Sequence, residues 1–164
     1  MPKYLIAEEP SLQVSLVSVE GIWQMVTLSL HQETPGFYLF WEDEAFDPTL
    51  LEKIKQWLHA YAEKKHPSLP LPTDISLFPS FTHSVLSHLT TLPFGITTTY
   101  GTIASALHKE KGARAVGNAC GANPFPLFIP CHRVLAAGNT LGGFSCGLEI
   151  KKRFLSFELI PFKK

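Results

Sequence analysis

Long apolar runs are missing from this sequence of 164 residues, although 45% of its residues are hydrophobic. No stretch of about 18 uncharged apolar residues occurs, so we expect no membrane-spanning helix. The N-terminal apolar patch is short and soon followed by acidic residues, and we therefore expect no secretory signal peptide. Internal repeats and low-complexity tracts are absent as well. The composition predicts a globular protein that buries a core in one large or two small domains.

Cysteine is scarce, and the three cysteines all lie in the last third of the chain. They are Cys120, Cys131 and Cys146. A small, odd number of cysteines is a poor basis for a disulfide framework and suits a reducing cytosol. The sequence also lacks CxxC and HxxxH spacings, so we expect no metal site.

Net charge is also absent, because 14 Lys and Arg balance 14 Asp and Glu. This excludes a protein that is basic all over. Residues 1–100 nevertheless contain five basic and eleven acidic side chains, whereas residues 101–164 contain nine and three. The division has two interpretations: two solvated faces of opposite charge, or an anionic partner that binds the half containing the cysteines.

The first half of the sequence is typical of a sheet followed by a helix. Residues 11–30 are rich in aliphatic side chains and are interrupted at Glu20 and Gly21, which predicts a hairpin. "GFYLFWEDE" predicts another strand. Asp47 as N-cap and Pro48 at the first helical position then predict a helix at 49–65. Its apolar face is formed by Leu50, Leu51, Ile54, Trp57, Leu58 and Tyr61.

Residues 66–79 are rich in proline and predict a linker between two domains, 1–77 and 78–164. Beyond this linker, Thr82 is the predicted cap of a helix that is closed by Pro93 and Gly95. The predicted apolar side of this helix consists of Phe81, Val85, Leu86, Leu89 and Leu92.

Two short helices follow in the second half. Thr99 caps the first, a turn lies near 109–112, and the second helix covers about 113–120. This spacing matches a helix-turn-helix, although any small helical hairpin has a similar pattern. A last helix at 148–159 is predicted to place Phe154 and Leu155 inward. The same helix is predicted to place outward its basic residues Lys151, Lys152 and Arg153.

The second short helix, "GARAVGNACGA", contains almost only small residues and one long side chain, Arg114. A helix that reads the major groove needs several long polar side chains. Small residues instead allow close backbone approach to a narrow groove, with Arg114 as a single probe. The alternative is a helix packed tightly against its neighbour, with Arg114 in solvent.

Cys131 is followed directly by His132 and Arg133 in "PCHR". A reactive cysteine needs its thiolate, which nearby cations or a paired base favour by lowering the pKa. Adjacent residues of an extended strand point to opposite faces, so pairing of the thiol with the imidazole requires a turn after Pro130. The alternative is a buried, inert cysteine beside surface His and Arg.

The sequence resembles the O6-alkylguanine-DNA alkyltransferases, also called methylated-DNA–protein-cysteine methyltransferases. "IPCHRV" resembles their active-site signature. Five further motifs occur in the family's order and spacing over residues 78–159: "LPFG", "TYGTIASAL", "ARAVGNA", "NPFP" and "LGGFS". The resemblance implies a two-domain α+β fold, with an N-terminal ribonuclease-H-like sheet plus helix. The C-terminal domain would be mainly helical and of winged helix-turn-helix type.

The implied function is DNA repair. Double-stranded DNA containing O6-alkylguanine would be bound in the minor groove and the damaged base flipped out. Its alkyl group would pass irreversibly to Cys131, once per molecule and without a cofactor, with O4-alkylthymine as a further candidate substrate. We expect a monomer in the cytoplasm, associated with the nucleoid in a bacterium or nuclear in a eukaryote, with no membrane partner.

The resemblance also implies residue roles. His132 would take the thiol proton directly or through a water, and Glu158 would orient the imidazole. Tyr100 would help to rotate the nucleotide and protonate guanine N3, and Asn123 would tie the recognition helix to the active-site loop. The implied DNA-binding residues are Arg114, Tyr100, Ala113, Ala115, Gly117, Asn118 and Arg133. The implied substrate pocket contains Val134, Phe144 and Ser145, with backbone groups of Cys131, Val134 and Ser145 holding the guanine edge.

Two residues depart from the family pattern. Phe144 stands where many relatives have tyrosine, and Cys146 where many have glycine, which affects the pocket rather than the core chemistry. The N-terminal cysteines of the zinc-binding variant are missing, so no metal is implied. Three other functions are a lesion binder without repair, a helix-turn-helix regulator and a cysteine hydrolase. Cys131 argues against the first, the lack of base-reading side chains against the second, and single turnover would exclude the third.

Overall fold

The computed structural model describes residues 3–19, 22–30, 35–43, 47–67 and 74–163. The chain forms two compact units, Met1–Asp74 and Ile75–Lys164. The boundary between them falls within the predicted linker, of which residues 68–73 lie outside the described ranges. No helix in these ranges has the length and hydropathy needed to cross a membrane. The protein is a mixed α+β structure.

The first unit contains a four-stranded sheet in the order β1–β4–β2–β3. Its strands are β1 (Lys3–Ala7), β2 (Leu12–Val19), β3 (Ile22–Ser29) and β4 (Phe37–Asp43). β2 and β3 pair antiparallel as expected for the predicted hairpin, whose turn at Glu20 and Gly21 lies outside the described residues. β1 pairs antiparallel with β4, and β2 pairs parallel with β4. β1 was not among the predicted strands.

A β-bulge explains why residues 11–30 alternate only partly. Val17 pairs with Met25, but Ser18 pairs with Trp23, so β3 contains one extra residue. Trp23 therefore stays buried while Gln24 and Met25 are both exposed. Bulges of this kind insert one residue and re-aim the side chains that follow.

Helix α1 (Pro48–Ala62) has the predicted cap, because the Asp47 carboxylate accepts from the backbone N–H groups of Thr49 and Leu50. All six side chains of its predicted apolar face are buried. The helix ends three residues earlier than predicted. Lys64 adopts a left-handed φ of 60°, and the N–H of Lys65 donates back to the carbonyl of Ala60, which closes the helix.

The second unit contains α2 (Ser80–Thr90), α3 (Tyr100–Ala106), α4 (Ala113–Gly121) and α5 (Leu148–Phe157). The prediction that Thr82 caps α2 is wrong. Pro79 occupies the N-cap, and its carbonyl accepts from the N–H of His83, so Thr82 lies within the first turn. Thr99 caps α3 as predicted, accepting from the N–H of Thr102 at 3.1 Å. α3 and α4 contact each other across the turn between them.

Two very short strands fix the position of α3. β5 (Thr98–Thr99) pairs parallel with β6 (Val134–Leu135), with Thr98 opposite Val134 and Thr99 opposite Leu135. β5 leads directly into α3, and β6 directly follows Arg133. The pairing therefore brings the first residue of α3, Tyr100, into the neighbourhood of Cys131.

Candidate functional site

Cys131 lies in a 3-10 turn, Cys131–Arg133, that begins directly after Pro130. The backbone N–H of Cys131 donates to the carbonyl of Ile129 at 2.8 Å. The side chain is only 4% exposed, yet it lines a cavity of about 640 Å³. Its thiol is thus shielded from bulk water but accessible from the cavity.

Asn123 is buried two residues beyond the end of α4 and contacts this turn. Its Nδ2 donates to the carbonyl of Ile129 at 2.8 Å and to Sγ of Cys131 at 3.2 Å. Its Oδ1 accepts from the N–H of Phe125 at 3.0 Å. One buried amide therefore joins the end of α4 to the sulfur.

His132 and Glu158 form a fully buried pair next to the cysteine. Nε2 of His132 lies 2.7 Å from Oε1 of Glu158, and both side chains are inaccessible to solvent. Glu158 directly follows α5, and its Oε2 accepts from the N–H of Gly95 at 3.0 Å. Nδ1 of His132 is buried and has no hydrogen-bond partner among the described residues. Since Nε2 contacts Glu158 and Nδ1 has no partner, no direct hydrogen bond joins the His132 ring to Cys131.

Arg133 does not occupy the predicted DNA-binding position. It is 3% exposed. Its Nε and Nη2 donate to the two carboxylate oxygens of Glu158 at 2.8 and 3.0 Å, and its Nη1 donates to the carbonyl of Leu92 at 2.7 Å. The turn at Cys131 directs the guanidinium inward, where a buried carboxylate is its partner. A side chain this deeply buried cannot serve as the DNA-binding residue that the resemblance implied for Arg133.

Burial dominates the protonation of the site. It raises the pKa of Cys131 to about 11, although the hydrogen bond from Asn123 opposes the increase. Burial also lowers the pKa of His132, against the attraction of Glu158. For Glu158 burial is outweighed by His132 and Arg133, which hold its pKa below the usual range. At neutral pH this arrangement favours a neutral thiol, a neutral imidazole and an ionised carboxylate.

The resting thiolate expected from the neighbouring cations is therefore not favoured. Arg133 is neutralised by Glu158, and His132 is uncharged in its buried position. Burial therefore favours the protonated thiol of Cys131 at rest.

The cavity joins the cysteine to the exposed side of α4. Besides Cys131, seven predicted site residues line it: Tyr100, Ala113, Arg114, Gly117, Asn118, Phe144 and Ser145. Arg114 and Asn118 are exposed, whereas Val116 and Ala119 face the core. Ala115 is exposed outside the cavity lining, and Val134 is buried in β6.

Tyr100 forms one wall of the cavity. Its hydroxyl donates to the carbonyl of Gly143 at 3.3 Å. Burial, followed by the nearby thiol of Cys120, raises the pKa of this hydroxyl. Gly142 packs against the same ring with a left-handed φ of 64°, and a Cβ there would lie 3.0 Å from Tyr100 Cε2. The phenol is therefore a protonated donor held in one place.

Two residues at the site were missed by the sequence reasoning. Lys151 was predicted to face outward but is fully buried. Its spacing of three and four residues from Phe154 and Leu155 places it on their face of α5, which was the available signal. Cys120 lines the cavity, and its helical position carried no comparable signal. In the described ranges no group of three or more His, Cys, Asp or Glu side chains is arranged to hold a metal ion.

Known proteins share both the sequence and the fold. A family model for the DNA-binding domain of 6-O-methylguanine DNA methyltransferase matches residues 80–160. The constitutive methylated-DNA–protein-cysteine methyltransferase of Bacillus subtilis (strain 168) is 32% identical over 167 residues, which cover 98% of this chain and 91% of that protein. The chain belongs to the methylated-DNA–protein-cysteine methyltransferase family.

Other family members match over a shorter part. The methylated-DNA–protein-cysteine methyltransferase of Methanocaldococcus vulcanius is 51% identical over 81 residues, covering 49% of this chain and 48% of that protein. The chain spans about half the length of several of the curated methyltransferases that it matches. A Mycobacterium tuberculosis OGT crystallised in complex with DNA has a TM-score of 0.63 at 27% identity, covering 89% of this chain and 92% of that one.

Proposed function

We propose that this protein repairs DNA by transferring an alkyl group from O6 of guanine to Sγ of Cys131. One observation carries the proposal: the sulfur lines a cavity that also reaches the exposed side of α4. A base that enters this cavity from α4 can reach the sulfur. The cavity volume of about 640 Å³ lies in the range of roughly 300–1,000 Å³ that is typical of small-molecule sites. Membership of the methyltransferase family supports the same reaction.

DNA binding is assigned to the unit formed by α3, the turn and α4, acting as a helix-turn-helix. The exposed side of α4 carries small residues, with Arg114 as its long side chain. The minor groove is only about 6 Å wide, so it rewards a helix whose backbone can approach closely. Arg114 then enters the duplex and replaces the flipped base in the stack. The similarity to a relative crystallised with DNA supports this assignment.

The chemical step is a single displacement. The Cys131 sulfur attacks the alkyl carbon, a C–S bond forms, and the C–O bond to guanine breaks. The thiol proton passes to Nδ1 of His132, directly or through a water, and Glu158 stabilises the imidazolium that results. The free Nδ1 atom and the Glu158 contact at Nε2 support this direction of proton transfer.

The leaving guanine needs a proton as its bond to carbon breaks. Tyr100 donates this proton to N3 from the cavity wall. The proton held on His132 then passes through solvent and restores the Tyr100 hydroxyl. The products are neutral guanine and a thioether. Since no group in the site can break a thioether, each molecule acts once and needs no cofactor.

The guanine edge is held by backbone groups of Cys131, Val134 and Ser145. The carbonyl of Val134 already accepts from Lys151 at 2.6 Å, so its second lone pair serves the base. Phe144 and Ser145 form the part of the wall that meets the alkyl group. O4-alkylthymine would use the same cavity.

The first unit is assigned as a ribonuclease-H-like support and the second as a winged helix-turn-helix domain. A sheet flanked by α1 and a helical unit with a short β5–β6 pair support these assignments. The protein is expected to act as a monomer on cellular DNA, in the cytoplasm or nucleus according to its host.

A stoichiometry experiment tests the reaction. The protein is incubated with duplex oligonucleotide containing O6-methylguanine, and its intact mass and peptide masses are measured. We expect a gain of one methylene unit per chain, on the peptide of Cys131 and not on those of Cys120 or Cys146. Cys131→Ala should abolish the gain and retain DNA binding. Continued turnover with release of the methyl group to solvent would contradict the proposal.

Arg114→Ala tests base flipping. Transfer from duplex DNA should fall more than reaction with free O6-benzylguanine, because the free base needs no extrusion. Arg153→Ala is the matched control, since Arg153 is exposed on α5 outside the cavity. Equal losses on both substrates would remove Arg114 from this role. Binding of wild-type protein to DNA should also weaken as salt rises.

A further inference from the structure

Lys151 is a buried cation in the middle of the second unit. Its side chain on α5 has no exposed surface. Nζ donates to three backbone carbonyls, at 2.6 Å to Val134, 2.5 Å to Leu141 and 3.1 Å to Gly143. These carbonyls accept all three ammonium hydrogens.

No carboxylate neutralises this ammonium among the residues that the structure describes. The ion pairs of the neighbouring residues lie elsewhere: Lys152 pairs with Glu149 at the surface, and Arg133 pairs with Glu158. Burying a charge without an opposite charge is costly, and evolution retains such groups mainly where they serve a site. Carbonyl dipoles alone offset only part of this cost.

The groups able to supply a negative charge are thiols. Lys151 lies within electrostatic range of Cys131 and Cys120, and either thiolate would favour the ammonium form. The effect is mutual, because Lys151 favours the thiolate of Cys131 against the burial that raises its pKa. Burial lowers the pKa of Lys151 itself to about 8. The ammonium thus lacks a counter-charge while the thiol is protonated, and it gains one when Cys131 ionises.

The three carbonyls also have a functional position. Val134 directly follows the Cys131 turn, and Gly143 lines the cavity and accepts from the Tyr100 hydroxyl as well. One ammonium therefore holds both the segment that follows the sulfur and a second segment that lines the cavity. The charge of Lys151 and its hydrogen bonds therefore act on the same part of the cavity, next to Cys131.

We propose that Lys151 is the internal counter-ion of the Cys131 thiolate and, through the Val134 and Gly143 carbonyls, positions the sulfur-bearing segment against the cavity wall at Gly143. It is a positioning residue, since it acts on the sulfur through space and on the walls through the backbone. Its importance for alkyl transfer rests on the proposed function. Its effect on the sulfur does not, because any electrophile that reaches the cavity reports on it.

Other groups also face the two partners. Asn123 donates to the sulfur of Cys131, and Cys146 interacts with Cys131 electrostatically. Lys151 interacts electrostatically with Cys120 and with His132. A change at Lys151 therefore alters the whole group, and the readout must be resolved for the Cys131 peptide.

The test measures the reaction of Cys131 with iodoacetamide as a function of pH, by mass spectrometry of the Cys131 peptide. In this reaction the thiolate forms a C–S bond and iodide leaves. Lys151→Met should lower the rate constant about tenfold at neutral pH and move the midpoint of the profile up by about one pH unit. Lys152→Met, one residue away and at the surface, should leave the profile unchanged. An unchanged profile in folded Lys151→Met would overturn the proposal.

Two further variants separate charge from shape. Lys151→Gln removes the charge but keeps an amide that can donate to the carbonyls, so it serves if Lys151→Met does not fold. Lys151→Arg keeps the charge and should restore most of the wild-type rate. A folded Lys151→Arg that reacts as slowly as Lys151→Gln would show that charge is not the cause. Transfer from O6-methylguanine DNA by the wild-type protein is measured separately, so a failure there contradicts the proposed function alone.

Discussion

Replacing Arg133 with methionine tests whether this residue supports the fold rather than binding DNA. The guanidinium makes three hydrogen bonds of 2.7–3.0 Å, two of them to the fully buried carboxylate of Glu158. Methionine retains most of the volume but leaves the ionised Glu158 carboxylate beside a neutral His132, without its charged partner. Removing one partner of a buried ion pair costs about 3–5 kcal/mol. At about 2–4 °C per kcal/mol for a protein of this size, the melting temperature should fall by roughly 6–20 °C.

The assay is urea and thermal unfolding followed by circular dichroism at helical wavelengths. Tryptophan fluorescence is unsuitable, because all three tryptophans lie in the first unit and Arg133 in the second. Arg153→Met is the control, since Arg153 is exposed on α5 and its loss should change the unfolding free energy by no more than about 0.5 kcal/mol. If Arg133→Met kept wild-type stability and lost only DNA affinity, the structural assignment would be refuted.

Three further predictions concern stability. Gly142→Ala and Gly138→Ala should each lower the free energy of unfolding by about 1–2 kcal/mol, because alanine disfavours the left-handed backbone at these positions. Chemical denaturation should show a larger loss of unfolding free energy for Gly142→Ala, because only the Cβ added at Gly142 would contact Tyr100. Asp47→Ala should lower the free energy of unfolding by about 0.5–2 kcal/mol, because two backbone N–H groups lose their acceptor. Unfolding followed by tryptophan fluorescence measures this change. The Glu158 pKa is depressed in the folded state, so its stabilisation is present above the unfolded pKa of about 4.3 and is lost as pH falls through the folded pKa. Urea midpoints between pH 3 and 7 should therefore decline on acidification, and Glu158→Gln should weaken this dependence; an equal slope in the variant would contradict it.

Local signals made much of the fold predictable. The hairpin interrupted near Glu20, the cap at Asp47 and the cap at Thr99 depend on neighbours within a few residues, which the sequence displays directly. The apolar face of α1 follows from helical spacing alone. The parallel pairing of β2 with β4 joins segments far apart in the chain, and no local pattern reports it.

The charged residues of the site were harder to predict, because their environment is set by tertiary partners. The residues next to Arg133 do not indicate that it is buried, because its carboxylate partner lies 25 residues further on. Lys151 has the spacing of a core residue, but a lysine surrounded by basic neighbours favoured the surface interpretation. The family resemblance predicted residues that line the cavity, whereas only the structure shows that Arg133 and Lys151 are buried.

The pairing of β5 with β6 makes the separation of phenol and sulfur independent of the chain between them. Tyr100 comes one residue after β5 ends, and Cys131 lies three residues before β6 begins, so two ladder rungs set their spacing. The turn that joins α3 and α4 is not part of the β5–β6 pairing. Lengthening or shortening that turn, by natural drift or by protein engineering, would change how α3 and α4 are presented while leaving Tyr100 and Cys131 in register.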